Sequence, residues 1–194
     1  MRYENQNVYY AATHYIFLDD TALKKKSVQV CINRMLSGLR TSGYKILLHK
    51  KVMDVLLYAC KNSSLEERGE IAETLLYLNQ LNQMGFAEIV GESGNLFTRV
   101  EDLILQYIKE NLQNQPVLIV TQRAGFAFRV LDRNKRDKKI KAGRITDQGY
   151  IGKFVVYAPF HDGVGAFIER KWRRLIGMIK GEIGLALLKL KGRE

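Results

Sequence analysis

Short apolar runs alternate with longer amphipathic segments over most of the chain, which is the pattern of an α/β protein. The runs Tyr15–Leu18, 44–48, 86–90 and Val117–Val120 have the length and composition of buried strands. Between them, apolar residues recur every three or four positions, as they do on one face of a helix. The alternation predicts right-handed βαβ units and a three-layer α/β domain around a central, mostly parallel sheet.

The segments that connect these runs give more local predictions. Residues 1–13 are polar and rich in tyrosine, and we expect them to be irregular. Residues 21–26 are predicted to be a loop, and one helix is expected from Ser27 to a cap at Gly43. The charged run 135–141 is expected to be a surface loop. Two later strands are predicted, at Ile140–Ile145 and 150–157.

Two sequence motifs mark expected helix starts. Ser64 with Glu67, and Thr98 with Glu101, each have the S/T-x-x-E spacing of a capping box. In that motif the hydroxyl and the carboxylate satisfy free backbone N–H groups in the first turn. The spacing therefore predicts that both hydroxyls and both carboxylates act as helix caps.

The last part of the chain has a different pattern. After a hinge at residues 159–165, the sequence predicts one long basic amphipathic helix. We therefore divide the chain into an α/β domain, 1–158, and a C-terminal helix, 159–194. The apolar stripe of this helix must be buried against this domain, a second copy, a protein partner or a membrane surface. Of these we expect a homo-oligomer formed through residues 165–191, or a protein partner. The stripe consists of Ile168, Trp172, Leu175, Ile176, Ile179, Ile183, Leu187 and Leu190.

Charge is concentrated in the C-terminal part of the sequence. The 194 residues include 31 Lys and Arg and 20 Asp and Glu, for a net charge of +11. Residues 1–120 hold 13 of each kind, whereas residues 121–194 hold 18 basic and 7 acidic residues. Such asymmetry is typical of proteins that bind a polyanion, and nucleic acid is the expected partner.

The remaining composition predicts a cytoplasmic protein. Cys31 and Cys60 lie in helical apolar patterns and are expected to be buried thiols in a reducing compartment. Asp19 and Asp20 interrupt the only apolar run near the N-terminus, which argues against a signal peptide. No uncharged apolar stretch approaches the roughly 20 residues needed to span a bilayer, so no membrane association is expected.

Three carboxylates occupy related positions in the predicted elements. Asp19 ends the first strand, Asp54 is expected in the first turn of the helix after the second strand, and Asp102 lies in the first turn of the helix before the strand Val117–Val120. In a parallel sheet these positions can meet at one edge, where they need protons or cations to offset their repulsion. Hard oxygen ligands suit Mg²⁺ or Mn²⁺. Each acid alone is better explained as a helix cap, a partner of the helix dipole or a surface charge.

The order of these motifs resembles that of the PIN-domain ribonucleases over roughly residues 13–134. FLDDTAL resembles the opening strand of that family, with its leading acid at Asp19 and its small polar residue at Thr21. ILLHKKVMDVL resembles the second strand and helix, with Asp54 where Glu is usual. VEDLILQYI resembles the helix that carries the third acid, which falls on Asp102.

The late strand of the family ends in Thr or Ser, one further residue, and then Asp. VLIVTQRAGFAFRVL has Thr121 at the first of these positions and Arg123 at the last. An arginine cannot bind a metal ion and is always charged. Arg123 therefore either replaces the cation among the carboxylates, or contacts a substrate phosphate beside a weaker metal site.

The resemblance implies a PIN-like, Mg²⁺- or Mn²⁺-dependent endoribonuclease in which Asp19, Asp54 and Asp102 hold the metal and catalyse hydrolysis. Thr121 and Arg123 would contact the RNA. The alternative is an inactive PIN-like domain that binds nucleic acid or serves as a scaffold. In either case, basic residues would engage the RNA backbone, namely Lys24, Lys25, Lys26, Arg129, Arg133 and the run 135–141.

Overall fold

A computed structural model describes residues 4–154 of the chain, apart from residues 96 and 138. Side chains are described for residues 5–95, 97–132 and 139–154. These residues belong to the first of two units into which the chain divides, Met1–Phe154 and Val155–Glu194. The predicted hinge, C-terminal helix and oligomer surface lie outside the described residues, and so does the predicted boundary at residue 158.

Six strands form one sheet, in the order β3-β2-β1-β4-β5-β6. Neighbouring strands are parallel except for β5 and β6, which are antiparallel. The predicted α/β fold with a central, mostly parallel sheet is confirmed. The strands are β1 (Tyr15–Leu18), β2 (Ile46–His49), β3 (Ala87–Val90), β4 (Val117–Val120), β5 (Ile140–Ile145) and β6 (Ile151–Lys153).

Eight helices connect and cover these strands within the described part of the chain. α1 packs against α4, α5 against α6, and α8 against β5. None of these helices is both long enough and apolar enough to cross a membrane. Their bounds are α1 (Glu4–Thr13), α2 (Asp20–Leu23), α3 (Val28–Asn33), α4 (Leu36–Thr41), α5 (Lys50–Asn62), α6 (Leu65–Gln83), α7 (Val100–Asn111) and α8 (Ala124–Asp137).

The core is centred on the two middle strands of the sheet. All four residues of β4 are completely buried, as are Ile16, Phe17 and Leu18 of β1. Side chains on both faces of these strands are covered by helices, which explains why the runs are apolar without alternation. Each fully buried Leu or Ile contributes about 1.5–3 kcal/mol relative to exposure, so the two strands are firmly held. The residue after each strand is therefore fixed in position at the carboxyl edge of the sheet.

The N-terminal segment is a helix, so the prediction that residues 1–13 are irregular was wrong for residues 4–13. One side chain explains much of the difference. Asn7 is completely buried; its Oδ1 accepts from the Ile151 N–H at 2.9 Å, and its Nδ2 donates to the carbonyl of Gly149 at 3.0 Å. These contacts span more than 140 residues of sequence. Tertiary hydrogen bonds of this kind stabilise α1 without the apolar periodicity that marks helices in a sequence.

Three other local predictions need correction. Residues 20–23 form α2 instead of a loop, and the single helix expected after Ser27 is split into α3 and α4. A Cβ on Gly38 would lie 2.5 Å from the Val8 carbonyl oxygen, so α4 approaches α1 more closely than a larger residue would permit. The charged run starting at residue 135 begins as the last turn of α8, which extends to Asp137.

Candidate functional site

The candidate site lies where β1 and β4 end. Asp19 directly follows β1 and Thr121 directly follows β4, and the two strands are parallel neighbours in register. Both residues are completely buried. We call the site formed by Asp19, Asp20, Glu101, Thr121 and Arg123 the crevice. Its position at the carboxyl edge of a parallel sheet is where open α/β folds place ligands.

The carboxylate of Asp19 is held by three donors. Its Oδ1 accepts from the Ala22 N–H at 2.8 Å, which caps α2, and from the Thr21 hydroxyl at 2.7 Å. Its Oδ2 accepts from the Thr121 hydroxyl at 2.5 Å. Three donors compensate for the loss of water around a buried carboxylate, so Asp19 has a structural role as a helix cap and as a link between β1 and β4.

The two threonine hydroxyls extend this network to the next turn of the chain. The Gln122 N–H donates to the Thr21 hydroxyl at 2.9 Å, and the Arg123 N–H donates to the Thr121 hydroxyl at 2.9 Å. Each hydroxyl thus accepts from the backbone and donates to Asp19, which uses its normal capacity in both directions. The turn between β4 and α8 is consequently fixed, and with it the starting point of the Arg123 side chain.

Arg123 bridges two carboxylates across the crevice. Its Nη2 lies 2.7 Å from Asp20 Oδ2, and its Nη1 lies 2.7 Å from Glu101 Oε1. The side chains of Asp20 and Glu101 are 6% and 15% exposed, whereas that of Arg123 is 37% exposed. Both short charge-assisted bonds use the two terminal nitrogens of one planar group. Of the two roles that the sequence allowed for Arg123, this geometry matches that of a built-in cation.

Asp20 has one oxygen that the crevice leaves without a partner. Its Oδ1 is buried and accepts no hydrogen bond from any described residue. Burial raises the pKa of Asp20 above its usual range; the adjacent Asp19 adds to this shift, and Arg123 opposes it. A protonated carboxyl needs fewer donors, so this environment favours a proton on Asp20 more than an ordinary aspartate site does.

Glu101 reaches the crevice because the second predicted capping box does not form. Arg99, not Thr98, is the N-cap of α7, and the Thr98 hydroxyl donates to the Asn95 side chain at 2.6 Å. The Glu101 carboxylate is therefore free to bind Arg123. The first capping box is formed in part, since the Ser64 hydroxyl accepts from the Glu67 N–H at 3.4 Å.

Asp102 and Asp54 are placed differently from Asp19. Asp102 is about half exposed and forms an ion pair with Arg129 of α8. Asp54 lies one turn inside α5 instead of in its first turn. It is partly exposed, and Leu57 and Tyr58, which follow it on the same helix face, are exposed. The structure thus brings Asp20 and Glu101 to the crevice, two acids that the sequence motifs did not select.

The helical periodicity of α7 indicates that Glu101 faces the core, which the capping-box motif did not indicate. Glu101 lies four residues before Leu105 and seven before Ile108, both buried, so it belongs to the core-facing side of α7. Asp102 lies four residues before the exposed Gln106, on the solvent side.

The donor set does not fit a divalent metal ion in the predicted way. Among the described residues, no group of three or more His, Cys, Asp or Glu side chains is arranged to hold one. The Asp19 carboxylate is already bonded by three protein donors, and Arg123 occupies the position between Asp20 and Glu101. Mg²⁺ and Mn²⁺ require several free oxygen ligands together. The metal-binding and catalytic roles of Asp19, Asp54 and Asp102 stay predictions without support from this geometry.

The basic residues expected to contact RNA differ in their availability. Lys24 is exposed, whereas Lys25 forms an ion pair with Asp147. Arg129 is bound to Asp102, and Arg133 lies in α8, where only its helical placement is described. Ion pairs between exposed side chains contribute about 1 kcal/mol or less, so a phosphate can compete for these cations.

A groove of about 440 Å³ lies between the segment that follows α2 and the helix α6. The Lys24–Lys26 side of the groove is basic, and its α6 side carries Glu67, Glu70 and Glu73. Lys26 is paired with Glu70 at 2.8 Å. The mixture of signs makes this groove less suited to a polyanion than a uniformly basic surface would be.

A second feature of the same sheet edge is the segment from residue 91 to residue 99, described except for residue 96, which we call the rim loop. It joins β3 to α7 and lies over His49, the last residue of β2. A Cβ on Gly91 would lie 2.3 Å from His49 Nε2. The buried His49 accepts the Lys51 N–H on its Nδ1 at 3.2 Å, and burial lowers the pKa of its imidazole. His49 is therefore a neutral cap of α5 beneath the loop.

No family model matches this chain, and no curated protein sequence matches it.

Proposed function

We propose that this chain is a PIN-like α/β module that binds RNA through its phosphates and does not hydrolyse it. The observation that carries this proposal is the Arg123 guanidinium, which lies 2.7 Å from both Asp20 and Glu101. A metal-dependent nuclease needs a cation that can coordinate water and the scissile phosphate. A guanidinium supplies charge without either function.

The energetic comparison favours the built-in cation. At about 4 Å and an effective dielectric constant near 20, one unit charge pair is worth about 4 kcal/mol before desolvation. Arg123 forms two pairs of this kind, each weakened by solvent screening because its side chain is 37% exposed. It does so at no cost in translational entropy, because it is part of the chain. A metal ion that enters the same position must displace the guanidinium, and its binding must compensate for the loss of both ion pairs.

Charge supports RNA as the ligand. Residues 121–154 carry ten Lys and Arg against three Asp and Glu, so most of the net positive charge of the chain follows β4. Binding through about six phosphates would weaken about 10³-fold between roughly 50 and 200 mM salt. Lys24, Arg129 and Arg133 remain our candidates for these contacts.

One observation favours the second candidate function, a metal-dependent endoribonuclease. The buried Asp20 Oδ1 has no partner among the described residues, and the crevice contains three acids for one arginine. A cation would satisfy that oxygen if Arg123 rotated towards solvent. Asp19, Asp20 and Glu101 would then be the ligands, in place of the set predicted from sequence.

One experiment separates the two functions. Purified protein is mixed with labelled single-stranded RNA, with Mn²⁺ or with EDTA, and binding and cleavage are measured together. The proposal expects salt-sensitive binding that is equal in both conditions, and intact RNA. Mn²⁺-dependent cleavage that disappears in Glu101→Gln, a variant that leaves the hydrogen bonds of Asp19 intact, would establish the endoribonuclease instead.

The Arg123→Asp variant serves as the matched test of the crevice. It replaces the internal cation with a fourth carboxylate, so Mn²⁺ should raise its thermal stability and leave that of the wild-type protein unchanged. At ten times its dissociation constant, a bound ion adds about 1.4 kcal/mol. An equal response in both proteins would contradict the role that we assign to Arg123.

A further inference from the structure

The exposed aromatic ring of Phe97 is the feature of the rim loop that needs explanation. Phe97 is 94% exposed, more than any other large hydrophobic residue in the described part of the chain. An isolated exposed apolar side chain is common on protein surfaces. What distinguishes Phe97 is that the loop around it is held in place by specific contacts and lies next to the crevice.

The loop conformation is set by Asn95. Its side-chain oxygen accepts from the Phe97 N–H at 3.0 Å and from the Thr98 hydroxyl at 2.6 Å. Its backbone carbonyl accepts from Lys51 Nζ at 2.9 Å, which ties the loop to α5. Gly91 and Gly94 adopt φ values of 71° and 64°, which only glycine adopts without strain. The loop therefore orients Phe97 away from the domain at little further entropic cost.

Position and charge indicate what the ring would meet. Phe97 is four residues before Glu101, so its Cα lies within about 14 Å of the residue that binds Arg123. Lys50 and Arg99 are exposed, and neither forms an ion pair with a described side chain. The loop itself contains one acidic residue, Glu92, and one basic residue, Arg99. Arg99 lies two residues after Phe97, and Lys50 is next in sequence to Lys51, whose Nζ bonds the loop at Asn95. An exposed aromatic ring together with unpaired cations is the combination that single-stranded nucleic acids bind, through base stacking and phosphate contacts.

We propose that Phe97 is a base-stacking platform for single-stranded RNA, with Lys50 and Arg99 binding the phosphates on either side of the stacked base. This rests on the proposed function and makes it more specific, because stacking requires an unpaired base. It assigns a ligand class to a loop that the sequence motifs left without a role.

The test uses the full-length chain and two probes of equal length, a labelled uridine RNA of about 12 nucleotides and its abasic counterpart. Dissociation constants are measured by fluorescence anisotropy at low salt. Wild-type protein should bind the RNA more tightly than the abasic oligomer. Phe97→Ala should weaken RNA binding about tenfold and leave abasic binding unchanged, whereas Phe97→Trp should keep wild-type affinity.

The matched control is Leu65→Ala, which removes a side chain that is 83% exposed at the start of α6. It should leave binding of both probes unchanged. If Phe97→Ala binds both probes like the wild-type protein, or weakens both equally, the stacking role is wrong while RNA binding stands. If the wild-type protein binds neither probe, the proposed function fails, and the stacking proposal fails with it.

Discussion

In the crevice, the polar groups of Asp19 and Arg123 are bonded within the protein, whereas in the rim loop the ring of Phe97 and the Arg99 side chain face solvent. Both regions lie at the carboxyl edge of the same sheet. Groups that already have partners contribute to folding, while groups left exposed on a fixed backbone are available to a ligand. Under the proposed function, ligand contacts are therefore expected at exposed groups such as those of the rim loop, and not at the bonded acids of the crevice.

The largest effect that the comparison predicts is on folding. Asp19→Ala leaves the Thr21 and Thr121 hydroxyls and the Ala22 N–H without their acceptor. Asp19 itself is completely buried, so water does not readily replace the lost carboxylate. We expect the free energy of unfolding, measured in urea, to fall by about 3–5 kcal/mol. Asp102→Ala, at a half-exposed ion pair, should change it by about 1 kcal/mol or less. Equal losses would show that the crevice is not the more strongly bonded region.

Arg123→Gln should have the next largest effect. It removes the cation shared by Asp20 and Glu101, but the guanidinium is 37% exposed, and solvent screening reduces the loss to about 1–2 kcal/mol. Arg129→Gln is the control, because Arg129 forms a single, more exposed pair with Asp102. The loss for Arg123→Gln should shrink as pH falls, because burial raises the pKa of Asp20 and its carboxyl then takes up a proton. A loss that is the same for both variants would contradict the bridging role.

The parts of the fold that followed from the sequence are those fixed by burial. The run Val117–Val120 was predicted as a strand and is one, with every residue buried, and the chain turns at Asp19 and Thr121 as expected. Apolar content and run length determine such strands almost independently of the rest of the molecule. The same holds for the parallel arrangement, which follows from helices between the strands.

The parts that could not be predicted depend on contacts between distant residues. α1 is stabilised by Asn7, whose partners Gly149 and Ile151 lie on the turn and strand that follow β5. The sequence around Glu101 was compatible with two roles, a helix cap and a partner of Arg123. Only the contact between Asn95 and Thr98 excludes the capping role. Local motifs state what a side chain can bond to, and tertiary structure selects among the possibilities.

Asp20→Asn tests the unpaired oxygen of the crevice through its pH dependence. Burial raises the folded-state pKa of Asp20 above the ordinary value of 3.8, so the native state binds its proton more tightly than the unfolded state does. The stability of the wild-type protein relative to Asp20→Asn should therefore be highest in acid. It should fall as pH rises from about 3.8 through the folded-state pKa, and then level off.

Unfolding curves of both proteins from about pH 3.5 to neutral pH measure this trend. If the stability of the wild-type protein relative to Asp20→Asn instead rises with pH, Arg123 dominates the environment of Asp20, and the crevice has no unsatisfied acid.

The smallest expected change in stability is at Phe97, and this makes it the most informative residue in the rim loop. Because the ring is 94% exposed, Phe97→Ala removes almost no buried area, and the free energy of unfolding should stay within about 0.5 kcal/mol of wild type. Phe126→Ala on α8 is the contrast. Because Phe126 is only 3% exposed, its replacement should lower the free energy of unfolding by about 3–5 kcal/mol.

If Phe97→Ala lost nearly as much stability as Phe126→Ala, the Phe97 ring would pack against the domain in solution. The rim loop would then contribute to folding, as the crevice does. An unchanged stability together with a tenfold loss of RNA affinity would separate the two regions completely. One residue would contribute to binding without contributing to folding, whereas Asp19 would do the reverse.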